Sequence, residues 1–155
     1  MSNLPVKRLV IHCSATKGDV SAATIRKWHM SKNPPWKDIG YHYVIRTDGS
    51  VEKGRAENVV GSQVAGWNKG SIAICYAGGI GKDGKPVDTR TPAQKDAMAK
   101  LVKDIATRHN LPATKIMGHR DLSPDLDKDG KVEPNEWLKA CPSFDVSKER
   151  EGWLK

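Results

Sequence analysis

This 155-residue chain has no long apolar run. No stretch approaches the roughly 20 residues that a membrane span needs, so insertion into a bilayer is not expected. Its opening, Met1-Ser2-Asn3-Leu4-Pro5-Val6-Lys7-Arg8, carries no extended apolar segment, and a secretory leader is not expected either. Cysteine is scarce. Three residues cannot all pair, and their spacing offers no disulfide framework, which fits synthesis in a reducing compartment. Internal repeats and an obvious linker are missing too. The net charge of +8 favours a polyanionic partner but does not choose among nucleic acid, anionic wall polymer and acidic membrane. Because no Arg/Lys-rich helix or aromatic RNA-binding signature accompanies it, specific nucleic-acid binding is not expected.

What is present suffices for a folded unit. Charged residues make up 28% and hydrophobic ones 37%, a balance that argues against disorder, and the length suits one domain with its own core. Residues 8–12, apolar and β-branched, read as a buried strand. Ser21 can cap a short helix whose Ile25, Trp28 and His29 share a face, and Asn33-Pro34-Pro35 ends it. Residues 41–46 and 51–54 read as strands joined around Asp48-Gly49, a hairpin signal. Residues 71–76 read as another buried strand, and 78–88 as a glycine- and lysine-rich loop. Thr91-Pro92-Ala93-Gln94 combines a capping box with proline at the first helical position. Met98, Leu101, Val102 and Ile105 supply that helix with a core-facing stripe, and Leu111-Pro112 stops it. Residues 115–118 read as a short strand delivering His119 to a sheet edge. The expected fold class is α/β, a single domain with a central mixed β-sheet flanked by helices.

Three distant residues suggest chemistry. His12 ends the first strand, His119 sits in Gly118-His119-Arg120-Asp121, and Cys141 lies in Lys139-Ala140-Cys141-Pro142. Two imidazoles and one thiolate leave a tetrahedral zinc ion one open position, the ligand count of a catalytic rather than a structural site. Alternation sends Cys13 to the face opposite His12. His12 alone also reads as a satisfied core histidine, whereas His119 in a glycine-led loop and Cys141 before a proline in a polar segment suit a core less; Lys139 can be a solvated surface lysine and Tyr41 a ring in the core. Tyr41 and His42 would point to opposite faces of a regular strand, which assigns Tyr41 to the cleft and His42 to packing. His29 and His109 read as structural, with the helix dipole favouring a cation at His109.

Five motifs occur in one order: His12-Cys13-Ser14-Ala15-Thr16, Gly40-Tyr41-His42-Tyr43-Val44-Ile45, Gly66-Trp67-Asn68 with Ser71-Ile72-Ala73, Thr91-Pro92-Ala93-Gln94, and Lys139-Ala140-Cys141-Pro142-Ser143-Phe144-Asp145. Over about residues 8–146 the chain resembles the zinc-dependent N-acetylmuramoyl-L-alanine amidases of the type-2 amidase and peptidoglycan-recognition family. Within that family it looks like the T7-like phage lysozyme endolysins, which are amidases despite that name. The resemblance implies His12, His119 and Cys141 as zinc ligands and Tyr41 and Lys139 as catalytic partners. Lys139 would place an ammonium beside the oxyanion, and Tyr41 would orient the attacking water or donate to the tetrahedral intermediate. The implied reaction is hydrolysis of the amide between N-acetylmuramic acid and L-alanine in peptidoglycan, by a phage or prophage endolysin acting as a monomer. It would be made in the cytoplasm without a signal peptide and act on the bacterial cell wall. A non-catalytic peptidoglycan-binding module is the alternative, and the retained Cys141 argues against it.

Trp67 and Asn68 can stack on and hydrogen-bond a sugar–peptide stem, or form an exposed turn. Trp36 can line the cleft rim or cover the core. Gln63 stands where relatives often carry histidine, which leaves the stem-peptide preference open. Between His119 and Cys141 lies an EF-hand-like insertion at about residues 121–138. It reads Asp125-x-Asp127-x-Asp129-Gly130-Lys131-x-Glu133-x-x-Glu136, the spacing of a calcium loop. Asp125, Asp127 and Asp129 would supply oxygens, Lys131 its carbonyl, Glu133 a water contact and Glu136 a bidentate carboxylate. Pro124 argues against a regular incoming helix, and an acidic solvated turn needs no metal. Any Ca2+ here would be structural.

Overall fold

Strand β1 spans Arg8–Cys13, β2 Tyr43–Ile45, β3 Val51–Lys53, β4 Ser71–Tyr76 and β5 Ile116–Gly118. Helix α1 covers Ala22–Met30, α2 Pro92–His109 and the short α3 Arg150–Trp153. These come from a computed structural model that describes residues 5–62, 67–122 and 141–155. The Asp125–Glu136 loop, Lys139 and Gln63 lie outside the described residues. Among the described residues no helix is long and apolar enough to cross a membrane.

The strands form one mixed sheet in the order β3-β2-β4-β1-β5. β1 runs parallel to both β4 and β5, β4 is parallel to β2, and only the β2–β3 hairpin is antiparallel. Central parallel strands are covered on both faces and therefore read as continuous apolar runs. β4 is buried at all six positions. Leu9, Ile11 and Cys13 of β1 join Met98, Val102 and Ile105 of α2 in the larger core cluster, with Phe144 and Trp153. The other face packs Val44 and Cys75 against Ala22 and Ile25 of α1.

The helix boundaries follow local chemistry. Ser21 accepts the Thr24 N–H at 3.1 Å and starts α1. At α2, the Thr91 hydroxyl accepts from Gln94 N at 3.1 Å while the Gln94 side chain accepts from Thr91 N at 2.9 Å, the reciprocal box the sequence predicts. Gln94 is fully buried, and its amide also donates to Ile45 O at 3.2 Å and Ala77 O at 2.9 Å, so the capping residue ties α2 to the sheet. Asn110 ends α2 in the left-handed conformation.

Two local expectations shift. Trp28 is 47% exposed rather than inward. The inward stripe of α1 centres on Ala22, Ile25 and His29, and at 100° per residue Trp28 sits roughly 90° away from it. β2 begins at Tyr43 and not at Tyr41. The His42 ring explains this, because its Nδ1 takes the Ala73 N–H at 3.0 Å, a donor the parallel ladder would otherwise use.

Beyond β3, Glu57 anchors the C-terminal end of α2. Arg108 donates to it at 3.0 and 2.8 Å, His109 contacts it at 2.9 Å, and the Tyr43 hydroxyl also donates to it. Burial alone would raise the Glu57 carboxyl, but the hydrogen bonds from Arg108, Tyr43 and His109 outweigh it and hold the group at about 2, against an ordinary 4.5. A depressed folded value stabilises the fold above the unfolded value, and that gain is lost as pH falls through the folded one. Glu57→Gln should therefore lower the melting temperature near neutral pH. Its deficit against the parent should shrink between pH 4.5 and about 2. Melting curves by circular dichroism check this, and a constant gap across that window counts against it.

Candidate metal centre

Parallel pairing brings the carboxyl ends of β1 and β5 to one edge. Ile11 lies beside Gly118 in the register, so His12 and His119 leave the sheet side by side. Their ring centroids are 4.7 Å apart. Gly118 precedes a tight turn over His119–Leu122, in which the Asp121 carboxylate accepts the Gly118 N–H at 2.8 Å. Cys141 arrives from the far end of the chain, its carbonyl accepting the Arg120 N–H at 2.9 Å.

The sulfur of Cys141 lies 3.8 Å from His12 Nδ1 and accepts the Cys13 N–H at 3.1 Å. One ligand atom from each of His12, His119 and Cys141 falls within 4.8 Å of the others. With Zn–S near 2.3 Å and Zn–N near 2.0–2.1 Å, tetrahedral ligands lie roughly 3.6 Å apart. The observed S···N separation fits that spacing, and two imidazoles with a thiol are a zinc donor set. Among the described residues no fourth His, Cys, Asp or Glu joins the group. Burial pushes the Cys141 thiol up, so a cation is what would make its thiolate the stable form.

His12 is buried and His119 half-buried. His119 lines a cleft of about 200 Å³ together with Cys13, Ser14, Ala15, His29, Lys32, Trp36, Tyr41, Ser62 and Cys141. Tyr41 packs on His12 with centroids 5.1 Å apart. Burial pushes its hydroxyl well above the ordinary phenol value, so Tyr41 is a neutral donor at any working pH. His42 points away, its Nε2 at 2.8 Å from Val59 O. The opposition of these two residues holds, although it arises before β2 begins.

His29, read from sequence as structural, stands in the cleft wall. Its Nδ1 accepts the Gly40 N–H at 2.8 Å, and its ring lies 4.5 Å from Trp36 and 5.5 Å from Tyr41. Burial first, then the Lys32 and Arg55 charges, bring it down to about 4, so it is neutral at pH 7. No spacing signal announced this, because the contacts cross a loop. Trp36 lines the cleft as one of its two sequence readings held.

Trp67 and Asn68 are not brought to this cleft. The Trp67 ring lies 5.1 Å from the Arg8 guanidinium, at the start of β1. Asn68 precedes β4 at the same end of the sheet. Four residues of strand separate Arg8 from His12, about 13 Å. Lys139 and Gln63, outside the described residues, are not placed relative to the cleft.

Likeness to known proteins accompanies this geometry. The family described as N-acetylmuramoyl-L-alanine amidase matches residues 2–136. The endolysin of Enterobacteria phage K11 is 40% identical over 147 residues, covering 94% of this chain and 83% of that protein. The endolysin of Escherichia phage T7 is 37% identical over 142 residues, covering 90% of this chain and 82% of its own. Among solved structures, an endolysin N-acetylmuramoyl-L-alanine amidase, LysCS from Clostridium intestinale, aligns with a TM-score of 0.73 at 26% identity, covering 97% of this chain and 84% of that one. Cys141 lies past the end of the family match, so its membership of the ligand group rests on the geometry.

Proposed function

Because the chain belongs to the N-acetylmuramoyl-L-alanine amidase family, it is a peptidoglycan amidase of the endolysin kind, and we propose that it works with a zinc ion held by His12, His119 and Cys141. The observation that carries this reading is the convergence of these three side chains, distant in sequence, with ligand atoms within 4.8 Å. Zinc bound there would act as a Lewis acid toward the amide carbonyl and lower the pKa of water.

The chain's own residues supply the rest. Tyr41, with its hydroxyl held neutral, donates a hydrogen bond to the oxygen that gains charge when the amide carbon is attacked. Lys139, placed in this role by the sequence resemblance, adds a cation to the same oxygen. His29, neutral and fixed by Gly40, keeps Tyr41 from turning away from His12. The bond proposed to break joins N-acetylmuramic acid to L-alanine. The polymer is that of the bacterial cell wall, and the +8 charge suits adhesion to anionic wall material. We assign the whole of residues 1–155 to one amidase domain that acts as a monomer.

Purified cell walls incubated with the enzyme should gain free amino termini. Chelator should stop this and added zinc should restore it. Walls that hold the protein yet gain no amino termini would make it a recognition module instead. Cys141→Ser should lose zinc and lower turnover by more than about 100-fold, since even partners outside the ligand set cost 10–100-fold. Full turnover with retained zinc in that variant overturns the ligand assignment.

A second proposal stands on sequence alone: Asp125, Asp127, Asp129, Lys131 and Glu136 bind a structural Ca2+. Calcium should then raise the melting temperature of the parent and leave Asp127→Ala unmoved. Identical melting of the parent with and without calcium removes the idea.

A further inference from the structure

Cys141 is the ligand that no regular element holds. β1 carries His12, and β5 delivers His119. Cys141 instead starts a turn, and no helix or strand covers residues 141–145. A zinc–sulfur bond of about 2.3 Å tolerates an error of only about 0.2 Å. Something must therefore fix the backbone on either side of the sulfur.

The structure provides that fixation just downstream of the ligand. The Tyr76 hydroxyl donates to Pro142 O at 2.5 Å in a buried contact. Tyr76 itself is fully buried at the end of β4, and its register partner is Cys13, one residue past His12. One turn of chain further, the Arg90 guanidinium lies 3.4 Å from the centre of the Phe144 ring. Its side chain is 1% exposed. Its fork donates to both oxygens of Asp88 at 2.9 Å and to Glu149 at 2.9 and 2.6 Å. A buried cation with its edge hydrogen-bonded to two carboxylates is held in one orientation and holds the ring beneath it in turn. Gly118 leaves room for this arrangement, since a Cβ there would come within 2.8 Å of Pro142 Cδ.

We propose that Tyr76 and Arg90 are positioning residues for the Cys141 thiolate, a brace that ties the third metal ligand to the β1–β4 strand pair already carrying His12. Neither supplies a ligand atom or lines the cleft itself. Tyr76 acts through the Pro142 carbonyl and Arg90 through the Phe144 ring, and the quantity they set is metal affinity. The proposal rests on the reading of Cys141 as a ligand.

The test measures the zinc dissociation constant of the folded, metal-stripped protein by competition with a chromogenic chelator, alongside its melting temperature without metal. Tyr76→Phe should weaken zinc binding about 10-fold, the loss typical of a partner one shell beyond the ligands. Arg90→Lys keeps the charge but loses the fork and the stack, and should weaken binding in the same direction. Ile105→Val removes one methyl on the α2 side of the core. It should lower melting and keep the parent's zinc affinity, which a generally loosened fold would not do. Parent-like zinc affinity in both Tyr76→Phe and Arg90→Lys overturns the brace. Cys141→Ser in the same titration separates the two levels. If it too binds zinc like the parent, the ligand reading fails. If it loses zinc while the brace variants do not, only the brace fails.

Discussion

The site depends on the parallel register of β1 against β5. Pairing Ile11 with Gly118 ends both strands at one edge and sets His12 beside His119. A slip of one residue would turn His12 toward α2, since alternate residues face opposite sides. Leu9, Ile11 and Cys13 lie in the α2-facing core, and this burial holds the register. The hydrophobic pattern of one strand therefore fixes where His12 points.

The two faces of the sheet divide the work. The α2 face is the larger core, closed by a helix whose cap, Gln94, reaches into the sheet and satisfies carbonyls of two strands. Such a buried amide is costly if any partner is lost, so it favours one docking of α2. The α1 face is thinner and leaves the cleft open. There His29 and Tyr41 stand where a continuous apolar layer would otherwise form, and both are held in their neutral states by burial. Polar groups kept neutral in a half-dry cleft can donate hydrogen bonds without adding charge to it.

Cys141 obeys different physics. His12 and His119 inherit their positions from strands. Cys141 inherits its position from tertiary contacts, with Arg120, Tyr76, Gly79 and Arg90 all acting on residues 141–144. Glu149 and Trp153 of the C-terminal segment both reach the Phe144 ring, Glu149 through Arg90.

Much of this was legible in the residues. The apolar β-branched runs of β1 and β4, the Thr91–Gln94 box and the Asp48-Gly49 turn are local signals, because propensity, capping and turn chemistry act over a few neighbouring positions. Each produced the element expected of it. The three side chains that converge were legible by type, since a histidine at a strand end, a histidine after glycine in a loop and a cysteine before proline in a polar segment together make a metal donor set. What the chain alone did not reveal depends on contacts between distant segments. Trp28 turned outward because the sheet chose the stripe of α1 that it would bury. His29 entered the cleft wall through a backbone donor eleven residues away. Trp67 went to the far end of the sheet because β4 runs parallel to β1. Composition and short-range pattern determined which elements form and which side chains carry chemistry. Strand order and register decided which of those side chains meet, because proximity across a sheet is set by burying many apolar residues at once and not by any one motif.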